Sequence, residues 1–200
     1  MAIFRIVLLA ALAGLFAGAA AAQTPVRVRG AVEALDGNTL KVKSRDGAAV
    51  AIKLADNYAV AAVVKTELAA IKPGAFIGTA SMKQADGSLV ALEVLVFPEA
   101  MRGTGEGHYP WDLQPESMMT NATVATLADN PKGREMTLTY KGESNKVVVP
   151  AGVPIVTFEP GDKAMLKPGA KIFAVTQKQA DGTLTAARVN VGKDGLTPPM

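Results

Sequence analysis

The chain has 200 residues, 21 Lys and Arg against 18 Asp and Glu, one His and no Cys. Without Cys there are no disulfide staples and no thiol chemistry. The near-balance of charge, with no long Lys/Arg cluster, speaks against a nucleic-acid interface. The chain opens with a targeting pattern. Arg5 gives a positive start, Ile6 to Ala19 is an uncharged apolar run, and Ala20-Ala21-Ala22 forms a cleavage site of the A-x-A kind. Residues 1–22 are therefore expected to be a cleaved signal peptide and the mature protein periplasmic. The run is short for a membrane span, so the mature chain is expected to have none; retention as an anchor is the lesser alternative.

The strands come in order along the chain. Val26, Val28, Val32 and Ala34 alternate with Arg27, Arg29 and Glu33, the period of a half-buried strand. A turn at Asp36 leads to Leu40 and Val42, which alternate with Lys41 and Lys43. Asp46-Gly47 is a hairpin signal, and Val50, Ile52 and Leu54 make a third strand. A longer connection is expected from Ala55 to Ile71, with a helical turn at Glu67 to Ile71. "KPG" then sets a turn before a fourth strand, Phe76 to Lys83, and "QADG" leads into a fifth, Leu89 to Phe97.

The pattern then recurs. "KPGAFIGTASMKQADGSLVALEV", from Lys72, matches "KPGAKIFAVTQKQADGTLTAARV", from Lys167, at 13 of 23 positions and an offset of 95. "VEAL" at Val32 matches "VATL" at Val124, and "TLKVKS" at Thr39 matches "TLTYKG" at Thr137. A duplication explains this, and the offset changes only across turn-like stretches. Each copy has five short strands and a small Ala/Val interior, which suits a narrow closed barrel. The expected fold is all-β, with two tandem small OB-like five-stranded β-barrels. Repeat 1 covers 26–97, a Gly/aromatic linker 98–118, repeat 2 119–192, and a flexible tail 193–200. One larger sandwich sharing both sets of strands is the alternative.

The motifs "VRGAVEAL", "TLKVK", "LAAIKPGAFI" and "DGSLVALEV", with the weaker second set, resemble exported bacterial domains of unknown function that form small OB-like barrels, often in tandem. The linker "RGTGEGHYPWDL" is similar to one found in such proteins, some loosely labelled as metal-transport components. The resemblance implies the fold and a link to metals. It implies no permease, because that would need several spans.

The linker holds the unusual chemistry. "GTGEG" has the wrong spacing for a dinucleotide loop, and Tyr109-Pro110 follows instead of a helix. His108 with Ser117 and Asp112 shows no nucleophile elbow. Glu106, Asp112 and Glu116 lie in loops that fix no separation for paired-carboxylate chemistry. No enzyme is expected. His108 with Met101, Met118 and Met119 offers imidazole and thioether ligands suited to Cu(I); small periplasmic copper chaperones share these residue types on an OB barrel, though not the spacing. Glu106, Asp112 and Glu116 with His108 would suit Ni(II) or Zn(II). No other cofactor is implied. The structural reading makes Tyr109, Pro110, Trp111 and Leu113 a cover that fastens the two copies. Tyr109, Trp111 and Asp112 are then the candidate contacts for an envelope protein or a small ligand. The preferred expectation is a non-enzymatic binding or scaffold protein, with metal handling as the alternative.

Overall fold

The computed structural model describes residues 25–200. The proposed signal segment lies outside them. The architecture is all-β: β1 (Val26–Asp36), β2 (Thr39–Ser44), β3 (Ala49–Lys65), β4 (Phe76–Lys83), β5 (Leu89–Ala91), β6 (Val94–Val96), β7 (Gly107–Pro110), β8 (Met118–Asn130), β9 (Gly133–Tyr140), β10 (Glu143–Val149), β11 (Ile155–Pro160), β12 (Lys171–Lys178) and β13 (Leu184–Gly192). Only short 3-10 turns interrupt the strands among the described residues, two of them at Leu68–Ala70 and Lys163–Met165, near the expected helical turn and its counterpart. No helix among these residues is long and apolar enough to cross a membrane.

The pairings form two closed circuits, and each draws on both halves of the chain. In the first, β12 pairs with β1, β1 with β2, β2 with β3, β3 with β13, and β13 with β12. In the second, β4 pairs with β8, β8 with β9, β9 with β10, β10 with β5, and β5 with β4. Closure leaves neither circuit a free edge where it joins. The expectation that 26–97 and 119–192 each build a barrel is therefore corrected: the first three strands of each half are completed by the last strands of the other. Strands are shared, as in the sandwich alternative, but in closed circuits.

The reason lies in β3. The expected connection from Ala55 begins instead as strand: β3 runs for 17 residues, with its ladder to β13 shifting register between Leu54 and Ala59. At roughly 3.3 Å per residue it spans about 55 Å, far longer than one small barrel. It carries the chain out of the first circuit before the turn at Lys72-Pro73-Gly74. The short connection after it cannot bring β4 back. Tyr58 and Val60 resume the inward alternation after the irregular stretch Ala55-Asp56-Asn57.

The two circuits share one register. Val28 pairs with Ala174 and Thr120 with Thr79; Ile52 pairs with Leu184 and Val147 with Leu89. The hairpin turns match as well. Gly87 and Gly182 sit at φ +82° and +86°, where a side chain is strained. Asp86 and Asp181 accept the Ser88 and Thr183 amides there, at 3.0 and 2.9 Å.

The apolar side chains gather in three clusters. Val28, Leu40, Ile52, Ile172 and Val189 fill the first circuit. Ile77, Val94, Val124, Leu138 and Val147 fill the second. The third lies at the junction, with Val63, Leu95, Val156, Phe173 and Met200 joined by Phe97, Trp111 and Phe158. Met200 is 3% exposed and its carbonyl accepts from Arg29 Nε at 2.7 Å. The flexible-tail expectation for 193–200 is thus corrected: Leu196 and Met200 find apolar cover at the junction.

Candidate functional site: a cavity at the junction of the circuits

The stretch 98–118 is more than a linker. Its strand β7 pairs with β8, placing His108 opposite Thr120 and Tyr109 opposite Met119. Alternation then sorts the side chains onto two faces. His108 goes to one face. Its Nδ1 is 2.8 Å from Thr120 Oγ1, and its ring stacks on Tyr140 at 6.1 Å. Burial pushes the imidazole below its ordinary pKa, and the Glu143 charge opposes this only in part.

Tyr109 goes to the other face, and the chain then crosses to the first circuit. The Trp111 ring meets Phe173 edge-on at 6.3 Å and Tyr109 at 6.2 Å. The Arg27 guanidinium lies 3.9 Å from the centre of the indole, within cation–π range. Asp112 bonds Arg29 at 2.7 Å and lies 3.8 Å from Arg27. Burial pushes the Asp112 carboxyl up, but the Arg29 hydrogen bond and the charges of Arg29 and Arg27 together hold it below its ordinary value. Arg45 donates to the Asp112 and Leu113 carbonyls at 2.8 and 3.2 Å. The stretch thus clasps both circuits.

Behind the clasp lies a cavity of about 490 Å³. Its walls are largely apolar, with Leu95, Phe97, Trp111, Met119, Phe158 and Phe173 prominent. Its polar residues include Arg27, Glu93, Tyr109, Asn121, Arg188 and Asn190. Glu93 is 1% exposed, and its side chain makes one hydrogen bond, Oε1 accepting from the Ala80 amide at 2.8 Å. Burial pushes its carboxyl up to about 8, against smaller opposing effects of the Ala80 bond and the Arg29 charge. Asn121 Nδ2 donates to Thr104 O at 3.0 Å and Tyr109 Oη at 3.2 Å, and Asn190 Nδ2 to Phe173 O at 3.2 Å. These bonds fix both amide orientations. Glu93 Oε2, Asn121 Oδ1, Asn190 Oδ1 and Trp111 Nε1 are buried without a hydrogen-bond partner in the protein.

Two glycines make room. A Cβ on Gly78 would lie 2.5 Å from Asn121 Oδ1. Gly105, at φ +58°, would place one 3.1 Å from Asn121 Nδ2. Of the glycines in "GTGEG", Gly105 is thus the one that lies against Asn121.

Of the expected contact residues, Tyr109 and Trp111 line the cavity, while Asp112 holds the arginines beside it. The four metal candidates are divided. Met101 and Met119 line the cavity; His108 and Met118 do not. No cluster of three or more His, Cys, Asp or Glu with metal-binding geometry occurs among the described residues. Glu93, Asn121 and Asn190 were not expected. A charge inside the apolar run "LVALEVLV" was the available signal for Glu93, and it aligns with Arg188 in the matching segment.

No family model, curated protein or solved structure matches the chain.

Proposed function

We propose that this is an exported, periplasmic, non-enzymatic binding protein whose cavity between the two circuits receives a small ligand. The observation that carries the reading is the cavity itself. Its volume of about 490 Å³ falls in the range of small-molecule sites, and an apolar wall with a few polar groups is their usual lining. The four partnerless polar atoms add to this, because buried polar groups normally find partners. Export is supported by the charged start, apolar run and small-residue site at 1–22. Binding is preferred to catalysis because Glu93 is the one carboxylate residue lining the cavity, and the only His stands on the other face of β7–β8. Metal handling draws no second support, since strand alternation separates His108 from Met119.

The neutral fluorophore N-phenyl-1-naphthylamine, which brightens in apolar surroundings, tests the reading. The folded protein should take it up saturably. Leu95→Phe and Leu95→Trp, which fill the cavity in steps, should reduce uptake in the same order. No uptake, or uptake indifferent to both folded variants, overturns the proposal.

A further inference from the structure

The groups lining the cavity select a ligand class, an inference that rests on the cavity being a binding site. We propose that it takes an uncharged, ring-based apolar molecule bearing a group that both donates and accepts a hydrogen bond, of the phenol kind.

The apolar part follows from the walls. Phe97, Phe158, Phe173 and Trp111 present ring faces and edges, the usual partners of a flat ring. The polar part follows from the count of partnerless atoms. Three are oxygens: Glu93 Oε2, Asn121 Oδ1 and Asn190 Oδ1. The fourth is a nitrogen, the N–H donor Trp111 Nε1. Both asparagine amide nitrogens already donate to a carbonyl, so their oxygens are the atoms of these amides left wholly without a partner in the cavity wall. Glu93 Oε1 is likewise occupied by the Ala80 amide. Burial keeps Glu93 largely the neutral acid, and with Oε1 accepting from Ala80 its Oε2 carries the proton, so the set is two acceptors and two donors, which a hydroxyl that both donates and accepts complements.

Charge decides between a neutral and an ionic ligand. Arg27 lies over the Trp111 ring beside Asp112, and Arg29 is bonded to Asp112 and to the Met200 carbonyl. Two of the three arginines near the cavity are thus already engaged and the third, Arg188, is exposed to solvent, so an anion gains little from them. A cationic ligand would meet Arg27 and Arg188 on the same walls. Glu93 is largely the neutral acid at pH 7, because burial raises its carboxyl to about 8. A neutral hydroxyl suits all of these groups.

Isothermal titration of the protein with three naphthalenes tests the inference. 2-Naphthol carries an O–H donor, 2-methoxynaphthalene has the same ring system without one, and naphthalene-2-carboxylate carries a negative charge. The expected result is binding of 2-naphthol at least about tenfold tighter than either of the others. Asn190→Leu, which places at 190 the residue type found at the matching position 95, should cost 2-naphthol about tenfold and leave 2-methoxynaphthalene within about twofold. Equal affinity for 2-naphthol and 2-methoxynaphthalene would overturn the ligand class while leaving the binding site in place. So would a preference for the carboxylate, which would assign the cavity to anions. A parallel loss of both neutral ligands in Asn190→Leu would show a packing role and overturn the assignment of its oxygen. Failure of all three compounds to bind would overturn the ligand class; if N-phenyl-1-naphthylamine is also refused, the binding site falls with it.

Discussion

Val63 and Phe158, 95 positions apart in the chain, pair with each other across β3 and β11. On either side the partners exchange: Ala61 meets Pro160, and Lys65 meets Val156. Since 61 and 156, like 65 and 160, also differ by 95, position 61 meets the counterpart of 65 and position 65 the counterpart of 61, as in an isologous contact about a two-fold axis. The cavity lies at this junction, with Phe158 in its wall.

Interleaving makes the halves depend on each other. A specific protease site inserted after the exposed Arg102 should allow cleavage without separation. The fragments should co-elute on size exclusion, and neither should show a cooperative unfolding transition alone. Two fragments that separate and unfold cooperatively by themselves would contradict the pairings.

Glu93 gives the protein a pH signature. Its folded pKa, about 8, lies above the ordinary carboxyl value of 4.5, so the folded state holds the extra proton between those limits. Stability from this group is greatest at low pH and falls as pH rises through the folded pKa, by at most about 1.4 kcal/mol per pH unit. His108, whose pKa is lowered by burial, slopes the opposite way in acid. Urea denaturation from pH 5 to 8 should therefore compare wild type with Glu93→Gln. The difference between them should narrow or reverse in favour of the variant as pH rises; a constant difference would mean that Glu93 ionises normally.

The clasp should be measurable as a coupling. Trp111→Ala removes a half-buried indole and should cost about 2 kcal/mol, less than a fully buried Trp. A double-mutant cycle with Arg27→Ala should return a coupling of about 1 kcal/mol for the cation on the ring. Additive losses would mean that Arg27 rests on Trp111 without energetic consequence.

Gly78→Ala tests the room made for Asn121. The new Cβ would meet Asn121 Oδ1 at 2.5 Å, so the amide must move or the strands must part. A loss of about 1–3 kcal/mol is expected in chemical denaturation, together with weaker 2-naphthol binding. Unchanged stability and affinity would show that Asn121 is free to turn aside.

Much of the local structure was legible in the sequence. β4 falls on the expected Phe76 to Lys83, and the Asp-Gly turns at 86–87 and 181–182 form the hairpins their chemistry dictates. The apolar alternation of Val28, Val32, Leu40 and Ile52 identified the first core. The partnership of strands was not legible, because periodicity says which face is buried and nothing about which strand covers it. Ala55-Asp56-Asn57 looked like a break, although β3 passes through it. The cavity was half visible. Tyr109 and Trp111 stood out by composition, whereas Asn121 and Asn190 read as ordinary strand polars until the junction buried both to 7% exposure. His108 drew attention as the only His, but alternation on β7 turns it toward Thr120 and Tyr140. His108→Ala should accordingly leave 2-naphthol affinity within about twofold.

Trp111 is the only Trp in the chain, so a ¹⁵N-labelled sample gives one indole N–H signal, and that group lines the cavity without a protein partner. Titration with 2-naphthol, read from this buried N–H of a residue in the cavity wall, asks whether a ring bearing a hydroxyl enters the cavity between the circuits. A saturable shift of the indole resonance is predicted, together with shifts of the backbone amides of Glu93, Asn121 and Asn190. An indole signal that stays in place at saturating 2-naphthol would contradict the assignment of the cavity.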